Sequence, residues 1–339
     1  MQDHHAHSVD YRLRYKLAGH SGSVLSIAVR EDGKYVASGG SDGTRVWDLA
    51  TQQQVRVPAW SDIRGASTVL LWIKREDDVR EALITGTQGG YLLCWRQEDL
   101  PAEISGLDFD PESNRLAVCH RGGVVQIFTL NAEFAMEVVF SDTIPSCVPR
   151  AVAFGIGETR NGGPSAWSLG CQISGVALDV AKNVLCINDP SIGVRLYRLA
   201  EKQEVKSLRV PVKKFRRVRQ VCLADGNTAI VSGSDHGLVY VHDRRSGDVT
   251  TKLKVHPNEW IQTVAASDIS GVSTIFAAQS RDISGPNNIF VWRKNAINLR
   301  FFARIAANVQ FLFKLVVVLI AAAAVWEKLI GRYVFIPFM

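Results

Sequence analysis

His20, Ser38 and Asp42 are a base, a hydroxyl and a carboxylate within one short stretch, the set that hydrolases use to activate a serine. Trp47 closes the same stretch. No Gly-x-Ser-x-Gly elbow frames Ser38, so nothing local would lift its hydroxyl towards a substrate. Three other groupings could do chemistry. His4, His5 and His7 could hold a metal weakly, but residues 1–10 read as a polar, disordered tail. Gly155, Gly157 and Gly162 could be imagined as a phosphate loop, yet no Lys-Ser/Thr follows and no helix opens after them. The six cysteines form no Cys-x-x-Cys and mostly sit in apolar strand patterns. They read as buried free thiols in a reducing compartment. No catalytic residue, metal or cofactor is expected from these patterns.

A fourth grouping is electrostatic. Lys213, Lys214, Arg216, Arg217 and Arg219 surround Phe215 in seven residues. Such a run could touch phosphates, and anionic lipid would serve as readily as nucleic acid. It could equally be a solvated connection whose Val218 begins a strand.

These residues need elements to position them. Alternating apolar residues in Val24-Leu25-Ser26-Ile27-Ala28-Val29 and Tyr35-Val36-Ala37 predict two half-buried strands. Glu31-Asp32-Gly33-Lys34 predicts the tight turn between them, with Gly33 free to take positive φ. The stretch opens on Gly19-His20, passes through Ser38-Gly39-Gly40-Ser41-Asp42-Gly43-Thr44 and ends on Val46-Trp47-Asp48. It resembles one blade of a WD-repeat β-propeller, the family marked by this Gly-His…Trp-Asp pairing. The resemblance implies that His20, Ser38, Asp42 and Trp47 form a buried hydrogen-bonded chain tying one strand to the next. One departure is that Thr44-Arg45-Val46-Trp47 is a residue shorter than the usual approach to the Trp.

The rest of the chain repeats the plan. Residues 67–97 and 104–140 read as a second and a third blade, with Trp95-Arg96 and Phe128 where the closing Trp-Asp would stand. Then the rhythm breaks. Residues 149–154 look like a first strand, but 155–168 carry no strand pattern, so three strands of a blade are expected to be missing. A fourth blade follows over 173–205. A fifth holds the second copy of the signature, assigned to Ser232, Asp235 and Asp243, and a sixth spans 261–292. Residues 11–17 alternate as a strand that should complete the last blade and close the ring, since a propeller must protect its edges.

The chain carries 339 residues and a net charge of +6. Five of those charges are Arg293, Lys294, Arg300, Arg304 and Lys314, in a stretch from 283 to 326 that has no acidic residue. Residues 327–339 add the sixth, so 1–282 are neutral. This distribution argues against nucleic acid, because the basic excess flanks an apolar segment instead of a face. Residues 311–326 hold one charge and would span ~24 Å as a helix, against a ~30 Å hydrocarbon core. Lys314 could snorkel, flanking apolar residues extend the span, and Trp326 would sit in the aromatic belt. A helix apolar on every face is expected to anchor in a membrane and not to pack on a surface.

The expected architecture is therefore all-β: a WD-repeat β-propeller over 11–294, nominally seven-bladed, with six nearly complete blades and a remnant. A basic juxtamembrane segment (295–310), a single transmembrane helix (311–326) and a short tail (327–339) complete it. Family resemblance implies a non-enzymatic scaffold that binds other proteins, here on the cytosolic side of a membrane, either endoplasmic reticulum or mitochondrial outer membrane. Two alternatives stay open. His242-Asp243-Arg244-Arg245 faintly resembles the Trp-Asp-x-Arg box of ubiquitin-ligase substrate receptors, although Trp47-Asp48-Leu49-Ala50 lacks the Arg. The other is an enzyme using the central channel.

Overall fold

The computed structural model describes residues 11–55, 62–76, 81–94, 96–99, 102–155, 168–213, 215–280 and 286–294. They form six four-stranded antiparallel sheets. Blade one is Val24–Val29, Tyr35–Gly40, Gly43–Asp48 and Gln54–Val55; blade two is Ser67–Lys74, Glu81–Thr87, Tyr91–Cys94 and Arg96–Asp99. Blade three is Ile104–Asp110, Arg115–His120, Val124–Leu130 and Met136–Thr143; blade four is Gly175–Asp179, Val184–Asp189, Gly193–Arg198 and Gln203–Arg209. Blade five is Val221–Ala224, Ala229–Ser232, Leu238–Asp243 and Val249–Lys254. Blade six takes Trp260–Ile269, Val272–Ser280 and Asn287–Lys294 from the end of the region and Tyr11–His20 from its start. Tyr11 pairs with Lys294 and His20 with Asn287, so the expected closure by the first strand is present.

Local chemistry sets each strand's ends. In the turn after Val29, Gly33 has φ +67°, its N–H donates to Arg30 O at 2.8 Å, and Asp32 accepts the Lys34 N–H at 2.9 Å. An L side chain at Gly33 would be strained.

The core lies between blades. Five buried clusters fill five junctions. Val36 and Trp47 meet Leu17, Phe276 and Ile289 between blades six and one, and Ala37 and Val46 meet Leu70 between one and two. Ile73, Ile84 and Leu92 meet Leu116 and Phe128 between two and three. Cys186, Leu196 and Leu208 meet Val221 and Ile230 between four and five, and Val231 and Val241 meet Ile275 and Trp292 between five and six. No such cluster joins blades three and four among the described residues.

Around the channel, side chains of one inner strand bond the backbone of the next. Thr263 Oγ1 donates to Val24 O (3.1 Å), Ser26 Oγ accepts from Leu70 N (3.1 Å), and Thr68 Oγ1 donates to Ile104 O (2.6 Å). Ser105 Oγ donates to Pro149 O (2.7 Å), and Ser174 Oγ to Arg219 O (3.0 Å). Pro149 thus stands where Ile104 stands one position earlier. Phe154 N donates to Asp108 Oδ2 at 2.6 Å, and a Cβ on Gly106 would lie 2.9 Å from Ala151 Cα, so only glycine permits this approach. Residues 149–154 therefore lie in a seventh inner position, beside the six complete blades. Residues 156–167, where the missing strands were expected, lie outside the described residues.

All six cysteines are free thiols. Cys94, Cys119 and Cys186 are buried, and burial pushes Cys94 and Cys186 up to about 11. Cys147 is exposed and Cys171 half-buried, contrary to the expectation of general burial, because both flank the incomplete seventh position.

Candidate interaction surface

Blade one brings His20, Ser38 and Asp42 of the expected chain into hydrogen-bond contact, while Trp47 joins them by ring contact. His20 ends the strand that closes blade six, Ser38 lies in the second strand of blade one, and Asp42 caps the turn before the third. His20 Nδ1 donates to Asp42 Oδ1 at 2.5 Å, and His20 Nε2 meets Ser38 Oγ at 2.5 Å. Asp42 Oδ2 accepts from Ser21 N (2.8 Å) and Arg45 Nη2 (3.0 Å). The Trp47 ring lies 5.7 Å from that of His20 and is buried. Burial alone would raise the Asp42 carboxyl, but the bonds from His20, Ser21 and Arg45 outweigh it and hold the group well below the usual carboxylate range.

The connectivity Asp–His–Ser is that of a hydrolase relay, but Ser38 is 0% and His20 1% exposed. No substrate carbonyl could reach a hydroxyl so placed. The chain's chemistry is spent on joining strands of two blades, a satisfied buried network.

Blade five, which carries the second copy of the signature, bonds its residues differently. Ser232 Oγ instead accepts from Asn188 Nδ2 of blade four at 2.7 Å. Asp235 Oδ1 takes the His236 Nδ1 hydrogen at 2.7 Å, while Oδ2 accepts the backbone N–H groups of Lys213 (2.9 Å) and Phe215 (3.0 Å). His236 Nε2 reaches Tyr240 Oη at 2.9 Å. Asp243 caps an outer turn through Ser246 N at 2.6 Å. The three assigned residues serve three separate purposes. His236 and Tyr240 are the members that sequence reasoning missed. Ser38 and Asp42 are four residues apart, and the residue four beyond Ser232 is His236, not Asp235.

The basic run is likewise divided. Lys213 and Arg216 are exposed. Arg217 stacks 5.3 Å from Phe215 and 4.9 Å from Trp260, and Phe215 is 61% exposed. Arg219 contradicts the expected anion contact, for it is 1% exposed. Its Nη2 donates to Asp189 O (3.3 Å) and Pro190 O (3.1 Å), because the chain has by then turned into the inner strand of blade five. Burial lowers its pKa. Lys214 lies outside the described residues.

Of the cations assigned to the membrane flank, Arg293 is exposed. Lys294 corrects that assignment, since its Nζ meets Asp225 Oδ2 at 2.5 Å within the propeller. Arg300, Arg304, Lys314 and Trp326 lie outside the described residues, among which no helix is long and apolar enough to cross a membrane. In the 242–245 run, His242 is buried, Arg244 ion-pairs with Asp179 of blade four, and Arg245 is exposed. The channel mouth is a cavity of about 320 Å³ lined by Thr68, Ser105, Gln220, Gln262 and Arg150. Its Thr68 and Ser105 hydroxyls are committed to the inter-strand bonds given above.

The family described as "WD domain, G-beta repeat" matches residues 11–48. Ribosome biogenesis protein ERB1 of Ajellomyces capsulatus (strain NAm1 / WU24) is 42% identical over 69 residues, covering 20% of this chain and 9% of that protein. Small ribosomal subunit protein RACK1 of Medicago sativa is 58% identical over 40 residues, 12% of each chain. RACK1y of Oryza sativa subsp. japonica is 56% identical over 39 residues, 11% of this chain and 12% of that protein. The matches span only about a tenth of the length of these curated relatives.

Proposed function

The chain belongs to the WD-repeat β-propeller family, and on that premise we propose that it is a non-enzymatic scaffold that binds other proteins. The observation that carries this reading is the fate of the reactive residues in blade one. His20 and Ser38 are buried, Asp42 is half-buried, and all three are consumed in joining blades, so the residue types that first suggest hydrolysis are accounted for by the fold. A rigid ring with loop-lined faces is a platform for partners, but the fold does not choose among them. The ribosomal names of the relatives belong to those proteins. Matches of one or two blades' length carry the repeat and not its partner.

The scaffold is further proposed to work at a membrane, with the propeller on the cytosolic side. Support comes from the sequence: a neutral stretch over 1–282, then cations, then the apolar residues 311–326. The test of the scaffold is in-cell crosslinking followed by purification of the full-length chain in detergent. Stoichiometric protein partners are expected. Recovery of the chain alone, or hydrolytic turnover that is lost on Ser38→Ala, would overturn the reading.

A further inference from the structure

Among the described residues, the seventh inner position is an open edge. Arg150, Ala151, Val152 and Ala153 make no backbone hydrogen bond to any other residue, among the described residues. Arg150, Ala151 and Ala153 are also exposed. Backbone N–H and C=O groups left unpaired in this way are a template for another strand. Beside it is an apolar cavity of about 540 Å³, with Val148 and Val152 on one wall and Val176, Leu178 and Leu185 of blade four on the other. Register carries blade three's wall outward. Asp108, Ala117, Ile127 and Phe140 pair in one row, hence share the face that Phe154 touches, and Phe140 is 48% exposed.

We propose that this slot takes an extended strand of a partner protein, apolar at alternate residues and carrying a carboxylate at its C-terminal end. The proposal rests on the scaffold reading and specifies its site. Two arguments fix the occupant. First, the slot continues the ring's own construction: in every complete blade the inner strand pairs with an antiparallel second strand whose end lies beside the inner strand's start. Ile104 faces His120 in this way, Ser67 faces Thr87, and Val24 faces Gly40. A partner strand in the same relation brings its C-terminal end to Arg150. Second, Arg150 is exposed, makes no ion pair among the described residues, and lies where the slot meets the channel mouth. A carboxylate there would be charge-complementary and hydrogen-bonded. Backbone pairing supplies affinity, and alternate side chains in the apolar groove supply selectivity.

The test uses the full-length chain and a labelled nine-residue peptide, acetyl-Thr-Val-Ser-Val-Thr-Ile-Ser-Val-Asp, with a free C-terminal carboxylate. Binding is read by fluorescence anisotropy and its site by amide exchange. The expected result is binding that protects the amides of Arg150–Ala153. Arg150→Glu should weaken it about tenfold, and the Lys-ended amidated peptide should recover affinity on that variant. The exposed position of Arg150 leaves the fold intact, which the melting curve verifies. Lack of binding, or binding that leaves these four amides exchanging freely, overturns the proposal. So does their protection by a second copy of the chain. A crosslinked partner that leaves those amides unprotected refutes the slot but keeps the scaffold, whereas finding no partner refutes both.

Discussion

Removing the Asp42 carboxylate gives the sharpest test of the buried chain in blade one. Asp42→Ala strips a partner from His20, Ser21 and Arg45. Ser21 is exposed and Arg45 is 24% exposed, so both regain water and their share is small, roughly 0–1 kcal/mol. His20 cannot, being 1% exposed, and a buried donor left alone costs about 1–3 kcal/mol. The sum is about 1–4 kcal/mol. His20→Ala should cost about 1–3 kcal/mol, chiefly by orphaning the fully buried Ser38 hydroxyl. Because the two residues share one bond, the double variant should lose less than the sum, with a coupling of about 1–2 kcal/mol. Urea unfolding followed by tryptophan fluorescence measures all three. The pH dependence has a definite sign. The folded Asp42 is held below its unfolded value, so its contribution is complete above about pH 4 and is lost as pH falls through the lower folded value. The gap between parent and Asp42→Asn should therefore close in acid. A coupling under about 0.3 kcal/mol, or a gap constant with pH, would refute the assignment of these residues to one chain.

Trp47→Ala should be costlier, about 3–5 kcal/mol, because it empties a large buried site between blades six and one; a midpoint equal to the parent's would contradict that packing. Arg219→Ala should destabilise by about 1–3 kcal/mol through its bonds to Asp189 and Pro190 and leave binding to anionic vesicles unchanged. Lys213→Ala and Arg216→Ala should do the reverse in unfolding and vesicle sedimentation assays. The full-length chain should stay in the pellet after alkaline carbonate washing, and truncation after Lys294 should release a soluble propeller. Soluble, monodisperse full-length protein would sink the membrane tether.

Blade one was legible because its polar residues are specific: a buried Ser, His and Asp at these spacings satisfy one another in few other ways. Strand rhythm placed the remaining blades, and the loss of rhythm after Phe154 placed the incomplete position. What stayed hidden depends on direction in space. Five cations adjacent in sequence look like one patch, yet Arg219 turns inward as its chain enters the inner strand of blade five, while Lys213 and Arg216 stay exposed. Asp235 matches the expected residue type, but His236 holds the equivalent place, and only counting from Ser232 separates them. Lys294 looked like a free juxtamembrane charge because its partner, Asp225, is distant in sequence. The hydroxyl-to-carbonyl bonds around the channel leave no pattern in the chain, since a Ser or Thr at a strand's start is common.

The central claim is that six four-stranded blades are joined by a seventh inner segment, unpaired among the described residues and available to a partner. Amide hydrogen exchange on the free full-length chain tests it most directly. The account predicts that Arg150–Ala153 exchange at nearly unprotected rates, while Ile104–Asp110, one position earlier in the ring and paired along its length, is strongly protected. Equal protection of the two segments would mean that the seventh position is already paired, and would contradict the account.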